Sequence, residues 1–253
     1  MSKKHREHKV DKSEHIPQRE KIKEELRIRE LNWTEKQKKL ISLILDKNTN
    51  IVFISGPAGS SKSICAIYSA LKLLADKKIS SIKYLRTAIE SSTKSLGYLS
   101  GDKIQKMEPY LEPCLDKLEE LLPQSQINNL ITDKRIEGDV INYARGRQAN
   151  NQIWIADETQ NFVFSEIVTF ITRIGKFSKL ILCGDLSQSD INSKSGYKAI
   201  IDIFNDEESR ANGIHVFEFT KEDIMRSGTV KFIVEKLEKR KEEKHNESMF
   251  PTS

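Results

Sequence analysis

Residues Gly56-Pro57-Ala58-Gly59-Ser60-Ser61-Lys62-Ser63 follow an apolar run, Ile51–Ser55, and open a stretch with helical periodicity. That order suits the cradling of phosphate. Gly56 and Gly59 let the backbone turn tightly and aim N–H groups inward. The N-terminus of the following helix adds partial positive charge. Lys62 is placed to reach the β- and γ-phosphates of ATP, and the Ser63 hydroxyl to ligate Mg²⁺. One residue departs from the usual pattern, because Ser61 stands where glycine normally precedes the lysine. Its Cβ crowds the loop unless the local φ is negative. A glycine-rich turn capping a helix by chance would share the glycines, but not the strand, the Lys-Ser pair and the helix together.

A second apolar run, Ile153-Trp154-Ile155-Ala156, ends in the carboxylates Asp157 and Glu158. Ligands of open α/β sheets bind at the carboxyl ends of strands. Asp157 is therefore expected to face the Mg²⁺ held by Ser63, and Glu158 to orient or deprotonate the attacking water. Taken alone, an Asp-Glu pair reads better as a helix cap; the phosphate loop is what turns it into a catalytic pair. A third strand edge, Leu180-Ile181-Leu182-Cys183-Gly184-Asp185-Leu186-Ser187-Gln188, offers Gln188 to the γ-phosphate or the water. As an isolated motif it is weak, since Gly-Asp turns are common.

Apolar runs at 51–55, 81–86, 152–156, 179–183 and 214–219 alternate with helical patterns at 61–77, 102–122, 163–174 and 196–205. The alternation predicts an α/β fold of the P-loop NTPase type, a mostly parallel sheet with helices on both faces. Asn32-Trp33-Thr34-Glu35 starts a helix ending near Asp46, with Thr34 as its cap. Pro109 and Pro113 are expected to interrupt or restart the helix of 102–122. Residues 130–143 read as a small β excursion around Gly138-Asp139, and 221–227 and 229–244 as final helical pieces.

Hydrophobic residues make up 37% of the 253 residues, enough for one compact domain with short extensions, while 31% are charged. The net charge of +5 sits in the ends: +3 in residues 1–30 and +2 in 231–245. Such mixed runs are compatible with nucleic acid but also with plain solvated faces. Cys65, Cys114 and Cys183 stand apart without a CxxC pair, which argues against a zinc site or a disulfide framework and fits a reduced compartment. The charged N-terminus has no apolar run behind it, and no stretch approaches a membrane span, so a cytoplasmic protein is expected.

The ordered motifs resemble the PhoH-like proteins, P-loop ATPases related to the core of superfamily 1 helicases. The resemblance runs from about Leu31 to about Leu237. Gly56–Ser63, Asp157-Glu158-Thr159-Gln160-Asn161 and Gly184-Asp185-Leu186-Ser187-Gln188-Ser189-Asp190 carry it. So do Ser95-Leu96-Gly97-Tyr98-Leu99-Ser100-Gly101-Asp102, Lys106-Met107-Glu108-Pro109-Tyr110, Arg145-Gly146-Arg147, Thr172-Arg173-Ile174-Gly175 and Asp223-Ile224-Met225-Arg226. Ser61, and Thr87 where the family usually has proline, depart from it.

The resemblance implies a RecA-like domain over 31–228, between a charged arm (1–30) and a C-terminal helix and tail (229–253). It implies ATP with Mg²⁺ and a connection to RNA or single-stranded nucleic acid. It also suggests adenine contacts before the first strand. Gln37 is the candidate, since an amide pairs donor and acceptor with an adenine edge. Arg226 matches the family's arginine past the last core strand and is the leading candidate to meet the γ-phosphate, with Arg173 the alternative. An arginine supplied in trans requires head-to-tail subunits. The expectation is therefore a homo-oligomeric ring, a hexamer by resemblance.

Two functions compete. A nucleic-acid-linked ATPase would use Arg145 and Arg147, flanking Gly146, to grip phosphates. A nucleotide-dependent switch or assembly protein with slow turnover and a protein partner is favoured by Ser61, and by a length with no room for a second motor core. A ribonuclease reading is weaker, because no segment is long enough for a separate nuclease domain.

Overall fold

Six short runs form strands: β1 (Ile51–Ser55), β2 (Ser81–Arg86), β3 (Ile136–Val140), β4 (Gln152–Ala156), β5 (Lys179–Gly184) and β6 (Ile214–Glu218). Four of them are apolar and buried along nearly their whole length, and two edge strands, β3 and β6, are more polar and partly exposed. All six form one sheet in the order β3-β2-β4-β5-β1-β6, and every registered pair is parallel. All carboxyl ends therefore lie along one edge. The computed structural model describes residues 24–86, 103–141, 146, 148–189, 191, 194–225 and 236, with the backbone alone for 103–110.

Parallel strands need crossovers, and the helices supply them. They are α1 (Glu35–Leu45), α2 (Lys62–Ala75), α3 (Lys103–Leu121), α4 (Gln124–Thr132), α5 (Phe164–Ile171), α6 (Tyr197–Phe204) and α7 (Glu207–Ala211). Strand alternation divides the interior in two. Val52, Ile54, Ile82, Tyr84, Ile153 and Ile155 pack with α1, α2, α3 and α4. Phe53, Leu85, Trp154, Ala156 and Leu182 pack with α5 and α6 on the other face. The expected α/β sheet with helices on both faces is what the chain forms.

Two local readings are corrected and two are refined. The helix of 102–122 is one element, α3, running through Pro109 and Pro113 without a break. An interior proline costs about 3 kcal/mol, but Leu111, Cys114, Leu118 and Leu121 bury one face of α3, and that packing outweighs it. The excursion at 130–143 is a true edge strand, β3, paired in parallel with β2. Its Gly138 is demanded by close approach, because a Cβ there would meet the Leu111 Cβ at 2.9 Å. The helix of 163–174 is α5, entered by a 3₁₀ turn at Thr159–Asn161, and the described part of 221–227, residues 221–225, holds a 3₁₀ turn at Lys221–Asp223 in place of an α-helix. The segment 229–244 and the arm up to residue 23 lie outside the described residues, apart from Lys236.

Residues 24–34 run without regular structure across α3 and α4. Gln126 receives the Arg27 N–H on its Oε1 (2.9 Å) and donates through Nε2 to the Glu25 carbonyl (2.9 Å). The Arg29 N–H donates to the Leu121 carbonyl at 2.8 Å. Leu26, Ile28, Leu31 and Trp33 pack on the core, with the Trp33 ring 4.9 Å from that of Tyr68. The strap delivers Trp33 and Thr34 to the start of α1, where Thr34 and Gln37 close a capping box.

All three cysteines are buried and unpaired. Burial pushes the Cys65 thiol up to about 12, so it stays protonated and inert near neutrality. Among the described residues there is no group of three or more metal-ligating His, Cys, Asp or Glu side chains. No described helix is long and apolar enough to cross a membrane.

Candidate functional site

The carboxyl edge of the sheet opens into a cavity of about 560 Å³. Ala58, Gly59, Ser61, Lys62 and Ser63 come to it from the loop after β1, Asp157 and Glu158 from the end of β4, and Gln188 from the loop after β5. Gln37 of α1 and Pro113, Asp116, Lys117 and Glu120 of α3 complete the far wall with Leu31, Asn32 and Trp33. The predicted phosphate, metal, water and adenine positions thus share one space, although more than a hundred residues separate the loop from Gln188.

Gly56, Pro57 and Ser60 do not line the cavity but shape it. The Gly56 backbone passes so close to β6 that a Cβ would lie 2.6 Å from the Phe219 Cβ. Lys62 Nζ donates to the carbonyls of Gly56 (2.6 Å) and Pro57 (2.9 Å). Ser60, fully buried, donates its hydroxyl to the Pro57 carbonyl at 2.8 Å. An incoming phosphate would therefore draw Lys62 off neutral carbonyls, an exchange that charge favours.

Ser61 takes the costlier of its two possible backbone states. Its φ is +66°, in the left-handed region, not the negative value that would accommodate a side chain at no cost. It makes no side-chain capping bond to offset this. Left-handed backbone costs a residue with a Cβ about 1–2 kcal/mol, and glycine gives back part of that gain as chain entropy. Ser61→Gly is expected to stabilise the protein by about 1 kcal/mol, a rise in Tm of roughly 2–4 °C. A thermal melt with no rise would show that the left-handed turn carries no cost here.

The Ser63 hydroxyl lies 2.9 Å from each oxygen of Asp157 and donates to that carboxylate. Tyr84 of β2, fully buried, donates its hydroxyl to Asp157 Oδ2. Burial first, and the Asp157 charge second, push the Tyr84 phenol well above its ordinary value, so it remains a donor. Asp157 is thus held by three donors: Ser63, Tyr84 and the Glu158 N–H at 3.1 Å. A hydroxyl and a carboxylate meeting beside a phosphate loop suit Mg²⁺, which takes few protein ligands and keeps phosphate oxygens and waters. Ser63 and Asp157 fit as those ligands.

Glu158 also has a left-handed backbone, with φ +56°. It heads the 3₁₀ turn but makes no side-chain capping bond, so the helix-cap alternative fails. Its Oε2 accepts from Gln160 Nε2 at 2.5 Å, and its Oε1 lies 3.9 Å from Nη2 of Arg86. Gln160 in turn accepts the Asp185 N–H at 3.0 Å, tying the ends of β4 and β5 together. Asp185 accepts the Ala58 N–H of the phosphate loop at 3.0 Å.

Gln37 is 3% exposed, so it is no solvent-facing helix glutamine. Its Oε1 accepts the Thr34 N–H at 2.9 Å, while the residue lines the cavity. Arg173 does not reach the site; its Nε donates back to the Thr169 carbonyl at 3.1 Å. Arg226, Arg145 and Arg147 lie outside the described residues, as does Thr87. Sequence reasoning missed Tyr84, Arg86, Gln160 and Asp185 as site residues. The signal for Tyr84 and Arg86 was their i, i+2 phase at the carboxyl end of a strand.

The family described as PhoH-like protein matches residues 31–238. The chain belongs to the PhoH-like family. This PhoH-like chain is 35% identical over 204 residues to a PhoH-like protein of Mycobacterium tuberculosis (strain ATCC 25618 / H37Rv), covering 80% of this chain and 56% of that one. It is 34% identical over 193 residues to a PhoH-like protein of Bacillus subtilis (strain 168), covering 76% and 60%. It therefore spans little more than half the length of these relatives. Among solved structures it is similar to a Pif1 helicase of a Bacteroides species in complex with ADP-AlF4, at 17% identity and a TM-score of 0.38, covering 81% of this chain and 45% of that one.

Proposed function

We propose that this PhoH-like chain binds ATP with Mg²⁺ and hydrolyses it, with turnover coupled to RNA or single-stranded nucleic acid. The observation that carries this reading is the convergence of Lys62, Ser63, Asp157 and Glu158 on one cavity, with Ser63 2.9 Å from both Asp157 oxygens. In this reading the loop amides and Lys62 hold the β- and γ-phosphates, and Ser63 and Asp157 would hold Mg²⁺, which would supply charge neutralisation at the phosphates. Glu158 accepts a proton from water as the water oxygen attacks the γ-phosphorus. The bond to the bridging oxygen breaks, giving ADP and phosphate. Gln188, on the same wall, orients the water or senses the γ-phosphate, and Gln37 contacts the adenine.

The coupling to nucleic acid rests on family membership and on the basic ends of the chain. A ring of subunits, a hexamer by family resemblance, belongs to the same reading, with Arg226 supplied to a neighbouring site. Mixing Lys62→Ala subunits with Arg226→Ala subunits should restore part of the activity. No recovery in verified mixed oligomers would remove the action of Arg226 in trans, and a strictly monomeric, fully active protein would remove the ring. The buried, unpaired cysteines support a cytoplasmic setting.

The left-handed Ser61, together with Asp185 occupying a phosphate-loop amide, favours the second reading, a slow nucleotide switch with a protein partner. One experiment separates the two: Mg²⁺-dependent ATP hydrolysis measured with and without single-stranded RNA. Stimulation is expected. Slow turnover indifferent to RNA would move the assignment to the switch, and no nucleotide binding at all would defeat both.

A further inference from the structure

The cavity holds one arginine among its described wall residues, Arg86, the last residue of β2. Its position follows from the sheet. β2 lies beside β4 in register, with Leu85 opposite Ala156. Tyr84 and Arg86, two apart, project to the same face, and each meets one carboxylate of the acidic pair that follows β4. Tyr84 donates to Asp157, and Arg86 stands 3.9 Å from Glu158.

The two interactions differ in character. Tyr84 is fully buried and hydrogen-bonded, which makes it a fixed support. The Arg86 and Glu158 side chains are 29% and 43% exposed, and their separation exceeds a hydrogen bond. An ion pair that long and that wet is weak and easily exchanged. Arg86 lines the same cavity as Lys62, Ser63 and Gln188, the residues assigned to the terminal phosphate. A phosphate offers more charge than a carboxylate and matches the guanidinium fork with two parallel bonds.

We propose that Arg86 is a catalytic arginine acting within its own subunit, which pairs with Glu158 while the site is empty and transfers to the terminal phosphate when a nucleoside triphosphate binds. This rests on the ATP-site reading above. The transfer does two things at once. It places a cation where charge gathers on the transferring phosphoryl group. It also takes the counter-charge away from Glu158, leaving that carboxylate held by Gln160 alone and free to accept from water. A diphosphate lacks the group that draws Arg86 across, so the pair with Glu158 forms again once phosphate leaves.

The test measures binding of Mg·ADP and of a Mg-bound non-hydrolysable β,γ-imido triphosphate to the full chain, with a thermal melt confirming that each variant folds. Arg86→Ala should weaken the triphosphate analogue by roughly 10-fold or more, the scale of one charge-assisted hydrogen bond, and leave ADP within about twofold. Arg86→Lys should recover part of the affinity. Glu158→Gln should tighten the triphosphate analogue several-fold by releasing Arg86, and that gain should vanish in the Arg86→Ala/Glu158→Gln double variant. Equal weakening for both nucleotides would make Arg86 a structural residue and overturn the proposal, as would unchanged binding of both. Failure of the unmodified chain to bind either nucleotide would instead remove the ATP-site reading, and this inference with it.

Discussion

Replacing Lys62 with alanine is expected to weaken Mg·ATP binding by roughly 10- to 150-fold, because a charge-assisted hydrogen bond to phosphate is worth about 1.5–3 kcal/mol. The structure sets the direction of the competing term. Lys62 Nζ is satisfied in the empty site by the Gly56 and Pro57 carbonyls, at 2.6 and 2.9 Å, so it gives up two neutral acceptors to reach the ligand. Each of those bonds is itself charge-assisted, because Nζ is cationic, but water can replace the lysine at either carbonyl, and the phosphate offers a full negative charge that the carbonyls lack. The charge–charge gain therefore dominates. The same substitution removes an internal brace of the loop, and a melt reports that cost separately. Isothermal titration of Mg·ATP into the folded variant is the deciding measurement, and undiminished binding would sink the phosphate-loop assignment.

What the sequence disclosed and what it hid follow one physical rule. Interactions local in the chain were legible. The loop 56–63 was readable because strand, turn, lysine and helix are contiguous, and Asp157-Glu158 because it ends an apolar run. Thr34 as a cap was readable because capping is settled within four residues. Features set by which strands become neighbours were not. Tyr84 supports Asp157 only because β2 pairs with β4, and nothing in residues 81–86 names that partner. Asp185 meets Ala58 because β5 lies beside β1.

Tertiary packing also overruled local propensity where the two disagreed. Two prolines would break an isolated helix, yet α3 buries Leu111, Cys114, Leu118 and Leu121 and runs through them. Gly138 marked the centre of a small β excursion, and in β3 it admits the close pass of α3 at Leu111. Gln37 was readable as a candidate adenine contact, but its part in the capping box, facing the cavity, was not. Ser61 is a mixed case. Its departure from the pattern was visible at once, but the left-handed backbone it adopts depends on the path the loop takes between β1 and α2.

Glu158→Gln should separate binding from chemistry more sharply than any other change. Hydrolysis is expected to fall by about 10²-fold or more, because the amide cannot accept the proton of the attacking water. The geometry argues that little else changes. Glutamine keeps the length and shape of glutamate, and its amide oxygen can still accept from Gln160 Nε2, now 2.5 Å from Glu158 Oε2. The left-handed backbone at this position is no harder for glutamine than for glutamate, since both carry the same Cβ. What the substitution removes is the weak 3.9 Å ion pair with Arg86. ATP should therefore bind at least as well as in the unmodified protein while turnover collapses, and the variant should trap the triphosphate state. A single-turnover assay beside a titration with Mg·ATP reads both quantities. Unchanged turnover would show that Glu158 is held by Arg86 and Gln160 for structure alone, and that the catalytic water is activated by another group on the cavity wall.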